Sequence, residues 1–209
     1  MNDITEFWNS TLTDKSWKIL LELKGFKFVL IGGWAAYLWT NIHKSKDVDI
    51  VIKDFDDLSY LKKKYELKKN DSLKKYEIKF EEIDVDIYTP FFSELAIPAE
   101  EIIKYTTTIQ NIEVVKAEVL LILKQGAEKD REKSVKGEKD RIDIMNLMLN
   151  ADINFDQYFI LLKKFKLENY YERLKNIIFN FKDIKYIGLN QRQFKLKKMQ
   201  ILKKLKEIR

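Results

Sequence analysis

With 209 residues, a formal net charge of +6, and 45% apolar and 13% aromatic side chains, the chain can build one or two folded domains and is not an intrinsically disordered one. It has no cysteine and a single histidine, His43, which excludes disulfides, thiolate metal sites and histidine-based zinc sites. No apolar run approaches the roughly 20 residues of a membrane span and no signal-peptide core opens the chain, so a cytoplasmic protein without membrane association is expected.

Residues 3–24 carry Trp17, Leu20, Leu21 and Leu23 partly in helical register, with Gly25 as a stop, and predict a helix. The run Phe28-Val29-Leu30-Ile31 reads as a short buried strand that ends at Gly32-Gly33. Glycines there permit backbone conformations closed to other residues and let a ligand approach the main chain. Trp34 to Leu38 then predict a short helix, whose free N–H groups and positive dipole end lie beside the glycines, where a phosphate would bind. Thirteen residues separate Gly33 from Asp47. Asp47 and Asp49 belong to a second apolar run, Val48 to Ile52, and residues i and i+2 of a strand share a face. The two carboxylates should project together while Val48, Ile50 and Ile52 turn to the core. A phosphate cradle followed by a carboxylate pair is what a magnesium–nucleotide site requires.

Residues 55–67 predict a helix that packs Leu58, Leu61 and Tyr65, and Leu73 to Phe80 and Ile83 to Tyr88 predict two strands joined around Glu81-Glu82. Within Ile83-Asp84-Val85-Asp86-Ile87, the apolar residues alternate with Asp84 and Asp86, which puts both acids on one face. Either could supply a third carboxylate. A short helix near 98–104 and a small hairpin from Thr107 to Val115 around Gln110-Asn111 follow. From Ala117 onward the pattern is helical: 117–127, about 138–149, 154–165, 167–180 and 191–207, with the mixed-charge segment Glu128 to Lys139 read as a loop or frayed helix. The change from strands to helices places a boundary near residue 113, giving domains 1–112 and 113–209. Lys124 ends the apolar run of the first of these helices and shares a face with Leu120, Leu121 and Ala127, so it must reach water or meet an anion. Asp140 and Asp143 lie one helical turn apart farther on. Residues 191–209 hold eight Lys/Arg against Glu207 alone, an excess that favours a polyanionic partner.

Hydrophobic-Gly-Gly followed by Asp-hydrophobic-Asp resembles the DNA polymerase beta-like nucleotidyltransferase superfamily. His43-Lys44-Ser45-Lys46-Asp47-Val48-Asp49 is similar to the Arg-x-Ser/Thr-x-Asp-hydrophobic-Asp of its abortive-infection-type (AbiEii-like) toxin branch, with His43 where that branch has arginine. Lys139-Asp140-Arg141-Ile142-Asp143 resembles that branch's Lys/Arg-Asp-x-x-Asp segment. The likeness covers residues 26–149 and implies an α+β (mixed α/β) fold: a nucleotidyltransferase core with a mixed sheet flanked by helices, then a helical C-terminal domain.

It implies a transferase that moves a nucleoside monophosphate from an NTP to a hydroxyl, with two Mg²⁺ ions, or Mn²⁺, held by Asp47, Asp49 and Asp86. The family pattern favours Asp86 over Asp84 and makes it a helper in drawing the acceptor proton. Gly32, Gly33, Ser45, Lys124, Asp140 and Asp143 are the implied nucleotide contacts, and Lys124 is also an implied catalytic residue. For some toxins of this kind the acceptor is the tRNA 3′ end, which would suit the basic terminal helix, and a cognate antitoxin is a further implied partner. The alternatives are a catalytically silent nucleotide- or RNA-binding module and a toxin–antitoxin partner acting through its helical half.

Overall fold

A computed structural model describes residues 8–207. The chain divides into two compact units, Met1–Lys116 and Ala117–Arg209. In the first, apolar runs bounded by glycine or charge become strands because burial on both faces rewards β-branched side chains. These are β1 (Phe28–Ile31), β2 (Val48–Ile52), β3 (Lys68–Asn70), β4 (Lys75–Phe80), β5 (Ile83–Tyr88), β6 (Thr106–Ile109) and β7 (Ile112–Val115). They form one sheet in the order β3-β4-β5-β2-β1-β7-β6. The pairs β1/β7 and β2/β5 are parallel and the remainder antiparallel, so the sheet is mixed, as expected. Val29, Leu30, Val48, Ile50, Ile52, Val85 and Ile87 are fully buried at its centre.

Among the described residues, four α-helices accompany the sheet: α1 (Ser10–Glu22), α2 (Gly32–Thr40), α3 (Phe55–Lys64) and α4 (Ala99–Ile102). The expected helix over 3–24 is α1 followed by a 3₁₀ turn at Leu23–Gly25, and its first residues lie outside the described ones. Buried Trp34 of α2 donates from Nε1 to Ser16 Oγ of α1 at 2.8 Å, and the Trp17 and Trp34 rings meet at 4.9 Å. Helix α3 ends at Lys64, three residues earlier than expected, because Tyr65 is already extended toward β3. That strand, Lys68-Lys69-Asn70, has no hydropathy signal, since it lies at an edge of the sheet and its residues are exposed or half-exposed. The β6–β7 hairpin turns at Gln110-Asn111, with φ of 51° and 59°, the backbone of the tight turns that match strand twist.

The second unit consists of α5 (Ala117–Asp130), α6 (Val135–Asn150), α7 (Phe155–Lys164), α8 (Asn169–Asn180) and α9 (Gln191–Glu207). Of the segment expected as a loop or frayed helix, only residues 131–134 lie outside α5 and α6. Ser134 caps α6 by accepting the Gly137 N–H at 3.1 Å. The charges that hid these helix ends pair with one another: buried Glu128 accepts from Arg141 at 3.0 Å and from Arg173 at 2.5 Å. The expected apolar face of α9 buries Phe194 and Leu205, with Ile201 half-buried. The fourth residue of that face, Ile208, lies outside the described residues.

Candidate active site

The site begins with the junction of β1 and α2. Helix α2 starts at Gly32 itself, two residues earlier than the sequence suggests, and Ile31 at its N-cap provides no side-chain cap. Gly32 takes φ of +66°, a conformation that glycine adopts at little cost. Ile31 pairs with Asp49 across the β1/β2 ladder, and this brings the Asp49 carboxylate over the glycine. A Cβ on Gly32 would lie 2.0 Å from Asp49 Oδ2. Gly32 is therefore a position where only glycine fits. Gly32→Ala is expected to lower the thermal midpoint and to displace Asp49, since both the left-handed backbone (about 1–2 kcal/mol) and the overlap oppose it. A melt and a fold as in the wild type would show the contact to be tolerant.

Asp47 precedes β2, Asp49 lies within it, and Asp84 and Asp86 lie on the adjacent parallel strand β5. The register places Asp49 directly opposite Asp86. Asp47 Oδ1 accepts the backbone N–H of Asp84 at 3.2 Å, so it too is tied to β5. Three acids thus occupy two neighbouring strands, Asp49 on β2 and Asp84 and Asp86 on β5, with Asp47 immediately before β2. Burial pushes Asp47 above the usual carboxylate range, a rise that the Asp84 N–H opposes and the Asp49 charge reinforces. Asp86 is pushed up to about 7, first by burial and then by the Asp49 charge, in spite of a bound lysine. Asp84, half-exposed and 3.9 Å from exposed Lys79, lies toward solvent.

That lysine, Lys75 of β4, is a residue the sequence did not single out. Its ammonium lies 2.6 Å from Asp86 Oδ2 and 3.1 Å from Glu77 Oε1. Burial opposes its charge, but the hydrogen bond and charge of Asp86, with Glu77 assisting, outweigh burial and hold it above the usual lysine range. Alternation along β4 puts Lys75 and Glu77 on one face. Only the β4/β5 register, with Glu77 opposite Asp86, reveals which face that is.

Ser45 is buried in the segment between α2 and β2. His43, at the position where the toxin branch carries arginine, stacks on Trp8 with ring centroids 4.0 Å apart.

Lys124, Asp140 and Asp143 form their own cluster in the helical unit. Lys124 Nζ lies 2.6 Å from Asp143 Oδ2 and 3.4 Å from Asp140 Oδ1, and Arg131 Nε holds the other Asp140 oxygen at 2.6 Å. The anions that this lysine meets are thus those one and two turns into α6. Burial opposes the Lys124 charge, and Asp143 and Asp140 together more than restore it, leaving the ammonium more basic than an ordinary lysine.

Among the described residues, no three acidic or histidine side chains already converge closely enough to hold one ion. The donor set nonetheless fits a hard divalent cation. Asp49 and Asp86 face each other across one ladder position, and Asp86 Oδ1 is buried without a hydrogen-bond partner among the described residues. Burial first, and the neighbouring Asp49 charge after it, disfavour the ionised forms of Asp86 and Asp47, and a bound cation would oppose both effects.

No protein-family model matches the chain, and no curated protein matches it. Solved structures do. A candidate nucleotidyltransferase from H. pylori is 19% identical, with a TM-score of 0.53 over 96% of this chain and 97% of that one. JHP933 from Helicobacter pylori is also 19% identical, with a TM-score of 0.50 over 95% of each chain. At that identity the likeness is one of fold: a mixed sheet with helices in a nucleotidyltransferase-like arrangement.

Proposed function

We propose that this chain is a divalent-cation-dependent nucleotidyltransferase that transfers a nucleoside monophosphate from an NTP to a hydroxyl acceptor. The observation that carries the reading is the carboxylate pair Asp49 and Asp86 set side by side on parallel strands, with Asp49 lying over the positive-φ glycine at the uncapped start of α2. Mg²⁺ or Mn²⁺ would be held by Asp47, Asp49 and Asp86, and when bound it would neutralise triphosphate charge and acidify the acceptor hydroxyl. The free N–H groups at the start of α2 and the backbone at Gly32 are suited to phosphate oxygens. In the reaction the acceptor oxygen bonds to the α-phosphorus as the bond to the pyrophosphate oxygen breaks. Asp86, with an affinity for protons raised to near neutrality, is suited to take the acceptor proton.

Incubation with each labelled NTP, Mg²⁺ and either total tRNA or the protein alone tests the reading. A labelled acceptor with release of pyrophosphate is expected. Absence of any labelled product with all four NTPs and both acceptors would instead favour a silent nucleotide- or RNA-binding module. The specific support for that second reading is Lys75, whose ammonium sits where a cation would meet Asp86.

RNA is the acceptor class we favour, on the charge of the terminal helix. Lys195, Lys203 and Lys206 of α9 are exposed and Lys197 is half-exposed. Replacing these four with Gln should weaken RNA binding and flatten its dependence on salt, while NTP binding persists. A filter-binding titration across salt concentrations measures both, and transfer to RNA unaffected by the substitutions would remove the tail from the acceptor site. A cognate antitoxin, the partner that the toxin-like sequence features imply, would appear as a stoichiometric companion on purification.

A further inference from the structure

We propose that Lys75 is an internal competitor for the divalent cation at Asp86: its ammonium holds the carboxylate while no ion is bound and withdraws to Glu77 when one arrives. This rests on the metal-dependent reading above. Lys75 already contacts both carboxylates, at 2.6 Å and 3.1 Å, so release from Asp86 does not leave a buried charge unpaired. Glu77 is itself fixed by Asn70, whose Nδ2 donates to Glu77 Oε1 at 3.0 Å. The lysine stem has four rotatable bonds, enough to exchange partners without moving the sheet. Asp86, by contrast, is only half satisfied: Lys75 takes Oδ2, while Oδ1 is buried with no partner among the described residues.

The arrangement is a polar row across four strands, Asn70 on β3, Glu77 and Lys75 on β4, Asp86 on β5 and Asp49 on β2, joined by the observed registers. A divalent ion bound by Asp49 and the partnerless Asp86 Oδ1 would repel the ammonium on the other oxygen of the same carboxylate, and that repulsion favours withdrawal of Lys75 to Glu77. Lys75 thereby keeps the acids together without metal and makes the ion compete for one of its ligands. Lys79 provides the contrast: 3.9 Å from Asp84 and mostly exposed, it is a solvated pair with nothing to hold.

The test is Mn²⁺ binding to the full-length protein without nucleotide, followed by the electron paramagnetic resonance of the free ion. Lys75→Met should bind Mn²⁺ about tenfold more tightly than the wild type. Glu77→Gln should bind more weakly, because Lys75 then has Asp86 as its one full-charge partner. Shifts in opposite directions would not arise from loosened packing. Should Lys75→Met fail to fold, as judged by thermal melting, Lys75→Gln replaces it and Glu77→Gln remains a separate arm. Unchanged or weaker binding by the Lys75 variants, or unchanged binding by Glu77→Gln, with Asp49→Asn still abolishing it, overturns the competitor and leaves the metal reading intact. No Mn²⁺ binding by the wild type, or binding that Asp49→Asn does not weaken, overturns both.

Discussion

Replacing Asp49 with Asn is expected to lower nucleotidyl transfer by roughly a thousandfold or more while the protein stays folded, the rate equivalent of several kcal/mol of charge stabilisation in the transition state. Asn keeps the shape of the side chain over Gly32 and removes its charge, so the near-contact there is retained. Asp47→Asn should behave alike, with the Asp84 N–H still able to donate to the amide oxygen. Of the β5 acids, Asp86→Asn should damage transfer far more than Asp84→Asn, since Asp86 is the one opposite Asp49. Circular dichroism and a labelled-NTP assay separate fold from chemistry, and activity retained in both the Asp47 and Asp49 variants would refute the assignment.

Asp86 also has a stability signature. Its folded proton affinity is raised to about 7 against an ordinary 3.8, so between roughly pH 4 and 7 the unfolded chain gives up a proton that the folded chain keeps. Folding is therefore penalised progressively as pH rises through that window, and the penalty is complete above it. The raised affinity of Lys75 has the same sign in a different window: its stabilisation is present below about pH 10.5 and is lost as pH rises above that. In metal-free buffer Asp86→Asn should flatten the stability profile between pH 4 and 7, a gain in stability alongside a loss of function.

The placement of these residues shows which features a sequence can convey. Alternation in Ile83-Asp84-Val85-Asp86 and Val48-Asp49-Ile50 revealed strands and faces, because a two-residue period is written into side-chain order. It could not reveal that β2 and β5 are parallel neighbours in a register setting Asp49 against Asp86, since pairing between distant strands leaves no local mark. For the same reason Lys75 passed as one residue of the strand expected over Leu73 to Phe80, and β3 passed unseen. The two glycines marked the turn, but only the backbone shows that Gly32 carries the left-handed angle and that α2 begins there. In the helical half, the charge run from Glu128 to Lys139 read as a loop or frayed helix. Glu128 is instead buried under Arg141 and Arg173, a compensation that composition alone does not show.

Lys124→Met is expected to destabilise the helical unit by about 3–5 kcal/mol, the cost of removing one partner from a buried ion pair. Lys124, Asp140 and Asp143 are at most 5% exposed. Asp140 would keep Arg131 at 2.6 Å and Asp143 would keep Lys139 at 3.9 Å, but both would lose the Lys124 charge inside the fold. The double variant Lys124→Met with Asp143→Met should therefore be less destabilised than Lys124→Met alone, a coupling that denaturation midpoints of the two single variants and the double one would measure. The outcome also bears on the role the sequence suggests for this lysine. An ammonium engaged by two carboxylates at 2.6 and 3.4 Å must weaken those contacts to serve a phosphate. If Lys124→Met melts as the wild type does and yet loses NTP turnover, the lysine acts on the nucleotide and the pair is expendable. If stability falls and the double variant recovers both stability and turnover, Lys124 is a structural cation of the helical unit, and the phosphate contacts must come from elsewhere.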